Sequence, residues 1–404
     1  MKPSLFTRVQ FDRIIDALMP LIASMGALLV GAVVLMLLDV NPVEAYTAMF
    51  SGAFANKNGL ADTMVKAVPL LLVGLGIVIA FRANVINIGA EGQLIVGALI
   101  TTYLAVELGD TWPNYLVITL GIIAGTLMGA LWAGIPGYLK AYLNVNEILS
   151  TIMMNQIAIQ IGYFLLRGPM IDPKEVEAGT NIPHSARLPR PTDLPRFTDV
   201  AGWFGFTDSA KDLNLTGFWG ELYGLLVEPT RLHTGFFIAI IMAILVYIFL
   251  WRTTIGYRIR AVGLNPAAAR YAGIQVPRTI ILSMGLSGAF AGLAGAVEIL
   301  GLHHRMFEPL SVSAGYGFSG IVVALFGKLH PLGAIPSAIL FGGLLVGGDK
   351  MQRAVQVPQV LITALIGIVI LFVVSSDIWS RRRASRRVVV DTNEDGKEPV
   401  MVEG

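Results

Sequence analysis

Long apolar runs alternate along this chain with short polar breaks. A run of about twenty apolar residues crosses a bilayer as a helix. Ten such runs occur, at roughly 17–38, 64–81, 92–108, 115–139, 148–166, 235–251, 278–302, 315–326, 332–348 and 359–378. The runs 315–326 and 332–348 are short for a span and rich in glycine, which predicts broken or tilted helices. The first run follows Lys2, Arg8 and Arg13 and is too long for a signal-peptide core, so it predicts an uncleaved anchor.

Composition agrees with this pattern. Only 14% of the residues are charged, against about 25% in soluble domains, so the fold class is an all-α membrane protein. The chain has no cysteine, which excludes disulfides and thiol catalysis, and its five histidines show no metal-ligand spacing. No cofactor or metal is expected. Ten spans place both ends on one side. With the N-terminus inside, the short inner segments hold seventeen Lys and Arg and the short outer ones four. That bias satisfies the positive-inside rule and predicts two cytoplasmic termini.

Residues 1–378 then read as a single transmembrane domain, with 167–234 as an extracytoplasmic insertion. Within it, PRPTDLPRF is too proline-rich for regular structure, while GFWGELYGLL suits a short interfacial helix with aromatic anchors. The tail 379–404 opens with RRRASRR, which suits a stop anchor beside anionic lipid rather than a nucleic-acid site, and continues as an expected disordered segment.

An internal echo divides the spans. GAEGQLIVGAL, starting at Gly89, matches GYGFSGIVVAL, starting at Gly315, at five of eleven positions. NVNEILST, starting at Asn144, likewise lies over QVPQVLIT, starting at Gln356. In each pair the first member starts inside and the second outside, as two five-helix inverted-topology repeats require (about 17–166 and 235–378).

Polar residues concentrate in FRANVINIGAEGQLIVGAL, where Asn84, Asn87, Gly89, Glu91, Gly92 and Gln93 interrupt an apolar surround. A cytoplasmic turn, a helix interrupted within the membrane, and a polar helix–helix contact all suit it. The spread of polar residues over so long a stretch favours the interrupted helix, with side chains facing a substrate pathway. Phe318 and Ser319, at the equivalent point of the second repeat, would add a ring and a hydroxyl. A second candidate set is NVNEILSTIMMN. There Asn146 and Glu147 either cap the fifth span or line an inner gate together with Asn155.

No phosphate-binding G-x-x-x-x-G-K-[ST] loop, H-E-x-x-H helix or G-x-S-x-G elbow occurs. A membrane protein without these is a conduit rather than an enzyme. The inner loop 252–278 reads RTTIGYRIRAVGLNPAAARYAGIQVPR. Asn265 suits an N-cap, Pro266 the first helical position and Gly273 the C-terminal stop. The loop thus predicts a short, exposed helix of small side chains, shaped for docking a cytoplasmic partner.

Ala268, Ala269, Arg270 and Gly273 in that loop resemble the A-A-x-x-x-G core of the coupling helix in ABC importer permeases. Together with NVINIGAEGQ, NVNEILSTIMMN, RAVGLNPAAARYAGI (with Gly263) and GYGFSGIVVALFGKLHPLG, it resembles the permease family of branched-chain amino acid, ribose and nucleoside importers, in its nucleoside and simple-sugar branch. The resemblance implies a bacterial cytoplasmic-membrane permease paired with a second, related permease. It further implies two cytoplasmic ATPase subunits and an extracytoplasmic binding protein that delivers a nucleoside or sugar. Many coupling motifs open with Glu where this chain has Ala267, so Arg260 or Arg270 is left to make the ionic contact. The alternatives are an ion-coupled secondary carrier, with Glu91 as its proton site, or a permease for another sugar or a branched-chain amino acid.

Overall fold

The computed structural model describes residues 25–206 and 217–358, with scattered positions from 360 to 372. The start of the first run, most of the tenth, part of the insertion and the tail lie outside the described residues. The described chain is helical and contains no strand; one isolated bridge joins Arg196 to His233. It divides into two compact units, one of Met1–Ala48 with Gly348–Gly404, the other of Met49–Gly347.

The helices are α1 (Met25–Met36), α2 (Pro42–Phe54), α3 (Lys57–Arg82), α4 (Ala90–Leu108), α5 (Asn114–Leu143) and α6 (Glu147–Arg167). The outer segment adds α7 (Pro173–Glu177), α8 (Phe197–Trp203) and α9 (Gly217–Val227). After these come α10 (Gly235–Arg252), α11 (Thr254–Leu264), α12 (Pro266–Tyr271), α13 (Val276–Glu298), α14 (Pro309–Ser313), α15 (Tyr316–Phe326) and α16 (Pro331–Val355). Among the described residues, eight helical stretches are long and apolar enough to cross a membrane, and they coincide with the second to ninth apolar runs. The protein is a multi-pass membrane protein.

Two features depart from the sequence pattern and one agrees with it. A break does occur at the run 315–326, at its start, where Ala314 and Gly315 are both left-handed (φ 44° and 75°) between α14 and α15. The run 332–348 is unbroken: α16 continues for 25 residues through Pro336. The helix α2 had no counterpart, because its 13 residues are too few to span.

In the unit built from the chain ends, α1 turns at Asp39 (φ 57°), and Asn41 caps α2 through a 3.0 Å bond from the Val43 amide. The Tyr46 hydroxyl donates to the Leu28 carbonyl at 2.6 Å, tying α2 to α1.

In the larger unit, α13 lies at the centre against α3, α4 and α5. Glycines set the distance. A Cβ on Gly129 would fall 2.2 Å from the Gly288 carbonyl oxygen, and one on Gly97 would fall 2.5 Å from that of Gly292. Lipid chains are as apolar as side chains, so such close backbone packing, rather than the hydrophobic effect, holds spans together.

Residues 167–234 meet the turn that follows α13 through main-chain bonds: Leu194 donates to Leu300 at 2.8 Å and Leu188 to His304 at 2.9 Å, while within the segment Phe197 donates to Leu232 at 3.0 Å. The proline-rich part forms only one 3₁₀ turn, Arg190–Thr192, so its backbone groups bond across to other segments instead. The GFWGELYGLL segment is helical, as α9.

Past α13 the chain makes a π-helical turn, Ile299–His303. Glu298 is buried there, with His303 Nε2 3.5 Å from its carboxyl. Its neighbour His304 turns the other way, to Asp193 at 2.8 Å. His233, buried at the start of α10, accepts from the Gly235 amide at 3.2 Å. Burial, reinforced by the charges of His304 and Arg196, lowers its pKa from 6.5 to about 4.

Candidate functional site

Between α3 and α4 the chain must leave one helix and start another inside packed protein, so its free backbone groups need partners. The turn is made at Asn84, exposed and left-handed (φ 56°), a conformation asparagine tolerates better than most residues. Residues 85–88 are non-helical, and α4 restarts behind Gly89.

Side chains close this break. The Asn87 carboxamide oxygen accepts from the Gly89 amide at 2.9 Å. Its nitrogen donates to Gln93 Oε1 at 3.0 Å and to Ser287 Oγ on α13 at 2.9 Å. Gln93 returns a bond to Asn87 Oδ1 at 3.1 Å, so the two carboxamides pair reciprocally. From α6, Asn155 donates to the Ile88 carbonyl at 2.9 Å and accepts from the Gly92 amide at 2.8 Å. One side chain thus bridges both edges of the break, as a neighbouring peptide group would. Gly92 permits the approach, since a Cβ there would be 2.9 Å from Asn155 Cα.

Glu91 makes the longest connection. Its carboxyl oxygens accept from the amides of Gly315 and Gly317 at 3.1 and 2.8 Å, and from the Ser313 side chain. These amides open α15, so the carboxyl closes its N-terminus and meets the positive end of its dipole. A Cβ on Gly317 would sit 2.3 Å from the Glu91 nitrogen.

The sequence-predicted pathway residues therefore part company. Asn87, Glu91, Gln93 and Asn155 are buried and bonded to one another or to backbone, with Gly89 and Gly92 packed among them. Asn84 and Phe318 are exposed, Ser319 is partly buried, and none joins this knot. Asn146 caps α6, accepting from Ile148 and Leu149 at 2.9 and 3.3 Å, and Glu147 pairs with Lys140 at 2.9 Å. Ser287 and Ser313 complete the knot. No sequence signal marked them, because buried serines on glycine-rich helices look like packing residues.

The loop 252–278 folds as two helices. Asn265 caps α12, accepting from the Ala267 and Ala268 amides at 3.0 Å each, with Pro266 in its first turn and Gly273 left-handed after it (φ 80°). Ala268 and Arg270 are exposed, Ala269 faces inward, and Tyr271 is 97% exposed, so α12 presents an open surface. Behind it, α11 lies directly on the end of α3, since a Cβ on Gly263 would be 2.0 Å from the Arg82 carbonyl oxygen.

Trp251 lies near two guanidinium groups, Arg82 at 5.2 Å and Arg260 at 5.7 Å from its ring. Arg82 also donates to the Leu329 carbonyl at 2.8 Å. His330, 5.1 Å from the Trp251 ring, has its pKa lowered by burial and by Arg82. Arg260 is thus partly buried against Trp251, whereas Arg270 stands free on α12.

Comparison with known proteins gives a consistent result. The glucose ABC transporter permease protein TsgB13 of Haloferax volcanii is 35% identical over 90% of this chain and 88% of its own length. The guanosine ABC transporter permease protein NupP of Bacillus subtilis is 34% identical over 90% and 94%. The nucleoside ABC transporter permease protein NupB of Lactococcus lactis is 31% identical over 88% and 90%. No solved structure matches the chain significantly. The model of the branched-chain amino acid transport system permease component matches residues 59–374, and the chain belongs to that family of ABC transporter permeases.

Proposed function

We propose that the chain is the membrane-spanning subunit of an ATP-driven importer for a nucleoside or simple sugar. A second, related permease would pair with this one, two separate cytoplasmic ATPases would serve the pair, one of them docking on α12, and an extracytoplasmic binding protein would deliver the solute. The observation that carries the reading is the exposed, doubly capped α12, backed by α11 lying directly on the end of α3. Force applied to α12 would reach the Arg82–Asn84 turn through Gly263, and from there the buried break at Asn87. The charge bias of the short loops supports cytoplasmic termini in a bacterial cytoplasmic membrane. The two inverted repeats gain support from Asn144 and Gln356. Aligned by sequence, they follow the ends of α5 and α16 in the same left-handed conformation (φ 52° and 54°).

Glu91 does not suit the proton site of an ion-coupled carrier, because both its oxygens are engaged by α15. Deleting residues 264–273 tests the docking assignment. The expected result is a folded, membrane-inserted chain that no longer co-purifies with the ATPase; retained co-purification overturns it. Uptake of radiolabelled guanosine and glucose by the whole transporter, each competed with the other, decides the solute.

A further inference from the structure

The side chains at the α3–α4 break are spent on one another, so the solute must find polar groups elsewhere. One helix presents them. On α6, Asn155, Ala158, Ile159 and Gly162 are buried. The opposite side is exposed and carries Gln156 and Gln160, one helical turn apart, among the exposed apolar residues Met153, Ile157, Ile161 and Phe164. Among the described residues neither carboxamide has a hydrogen-bond partner.

Two other exposed helix faces differ from it in composition. α5 presents Ile123, Leu127, Leu131 and Ile135, and α10 presents Phe237, Ile241, Ile244, Leu245 and Ile248. Both faces are apolar throughout their middle turns. An unpaired carboxamide is costly in hydrocarbon, so the exposed face of α6 meets something other than lipid.

We propose that this face of α6 is a wall of the solute passage, and that Gln156 and Gln160 are the specificity-determining contacts for a neutral solute with adjacent hydroxyl groups. The proposal rests on the importer reading above. Each carboxamide offers two donors and an acceptor without charge, which matches a pair of hydroxyls on ribose or hexose alike. Met153 and Phe164 supply apolar surface for a ring. A charged lining would bind water and ions in preference to such a solute. The signal lay in the sequence as two glutamines four apart in an apolar run, but which side of α6 they occupy is set by Asn155 facing α4.

Because the chain has no cysteine, single-cysteine variants report their own position. Gln156→Cys, Gln160→Cys, Leu127→Cys and Ile244→Cys are made in the assembled transporter, reconstituted in lipid and treated with a membrane-impermeant maleimide. The expected result is labelling at positions 156 and 160, slowed by saturating solute, with none at 127 or 244. Uptake is then measured for Gln156→Leu and Gln160→Leu with labelled guanosine and labelled glucose in parallel. Loss of one hydrogen bond predicts a fall of about tenfold for the transported solute, with ATPase co-purification unchanged. Labelling at 156 and 160 no faster than at 127 and 244 overturns the proposal. So does unchanged uptake in both leucine variants, or dissociation of the two permeases in them, which would make the glutamines a subunit contact. Failure of the unsubstituted transporter to take up either solute would instead count against the importer reading.

Discussion

Glu91 and Gly317, more than two hundred residues apart in sequence, meet through a 2.8 Å bond from the Gly317 amide to the Glu91 carboxyl. The second oxygen takes the Gly315 amide at 3.1 Å. A side chain in the first turn of α4 thus terminates α15, and the two halves of the internal echo are joined at their equivalent ends.

Removing that carboxyl leaves buried amides without acceptors. Glu91→Ala is expected to cost about 3 kcal/mol, read as a lower thermal midpoint in detergent. Glu91→Gln keeps one acceptor oxygen and should lose about half as much. Equal midpoints for all three proteins would show that the bonds contribute nothing.

Asn155 bridges the Ile88 carbonyl and the Gly92 amide. Asn155→Ala breaks both bonds and is expected to cost about 2 kcal/mol. Asn155→Asp keeps the acceptor but turns an oxygen toward the Ile88 carbonyl, and should be at least as damaging. Thermal midpoints of the two variants check the order, and a harmless aspartate would refute the assigned orientation of the carboxamide.

If the proposed docking on α12 holds, Gly263 separates docking from transmission. A methyl group there meets the Arg82 carbonyl, which belongs to backbone and cannot swing away. Gly263→Ala should therefore shift α11 and abolish uptake while α12 still binds the ATPase. By contrast, Asn265→Ala loosens α12 itself by about 1 kcal/mol and should weaken ATPase binding first. Co-purification and uptake, measured on both variants, tell the two effects apart.

His233 links the outer segment to pH. Its pKa is lowered from 6.5 to about 4, so an unfolded chain takes up its proton below pH 6.5 and the folded one only near pH 4. Above pH 6.5 its contribution to stability is fully present. As pH falls from 6.5 to 4, about 3 kcal/mol is lost. Thermal midpoints across that window should fall less steeply in His233→Asn, which retains an acceptor for the Gly235 amide. Parallel curves for the two proteins would contradict the assignment.

Much of the architecture was legible beforehand, and for specific reasons. A span needs so many consecutive apolar residues that the runs ending at Arg82, Arg167 and Arg252 could be bounded closely by eye. Local chemistry was equally readable: Asn265, Pro266 and Gly273 act within a few residues of where they stand. The burial of Glu298 was not legible, because a carboxyl near the end of an apolar run usually reaches water and only the packing around α13 covers this one. The break around Asn87 was visible as a break, but its purpose was not, since carboxamides suit a solute and a neighbouring peptide group equally well.

That division follows from range. Hydropathy, caps and the left-handed turns at Asn84 and Asn144 depend on near neighbours and on the surrounding solvent, so the chain by itself determined a multi-pass helical permease with a short, capped, exposed helix at 266–271. Pairings such as Glu91 with α15, Asn87 with Ser287 and Asn155 with the α3–α4 break depend on which helix faces meet. Only the packing of glycine against backbone around α13 decides that. The same packing turned one set of amides inward to hold the fold and left Gln156 and Gln160 facing out.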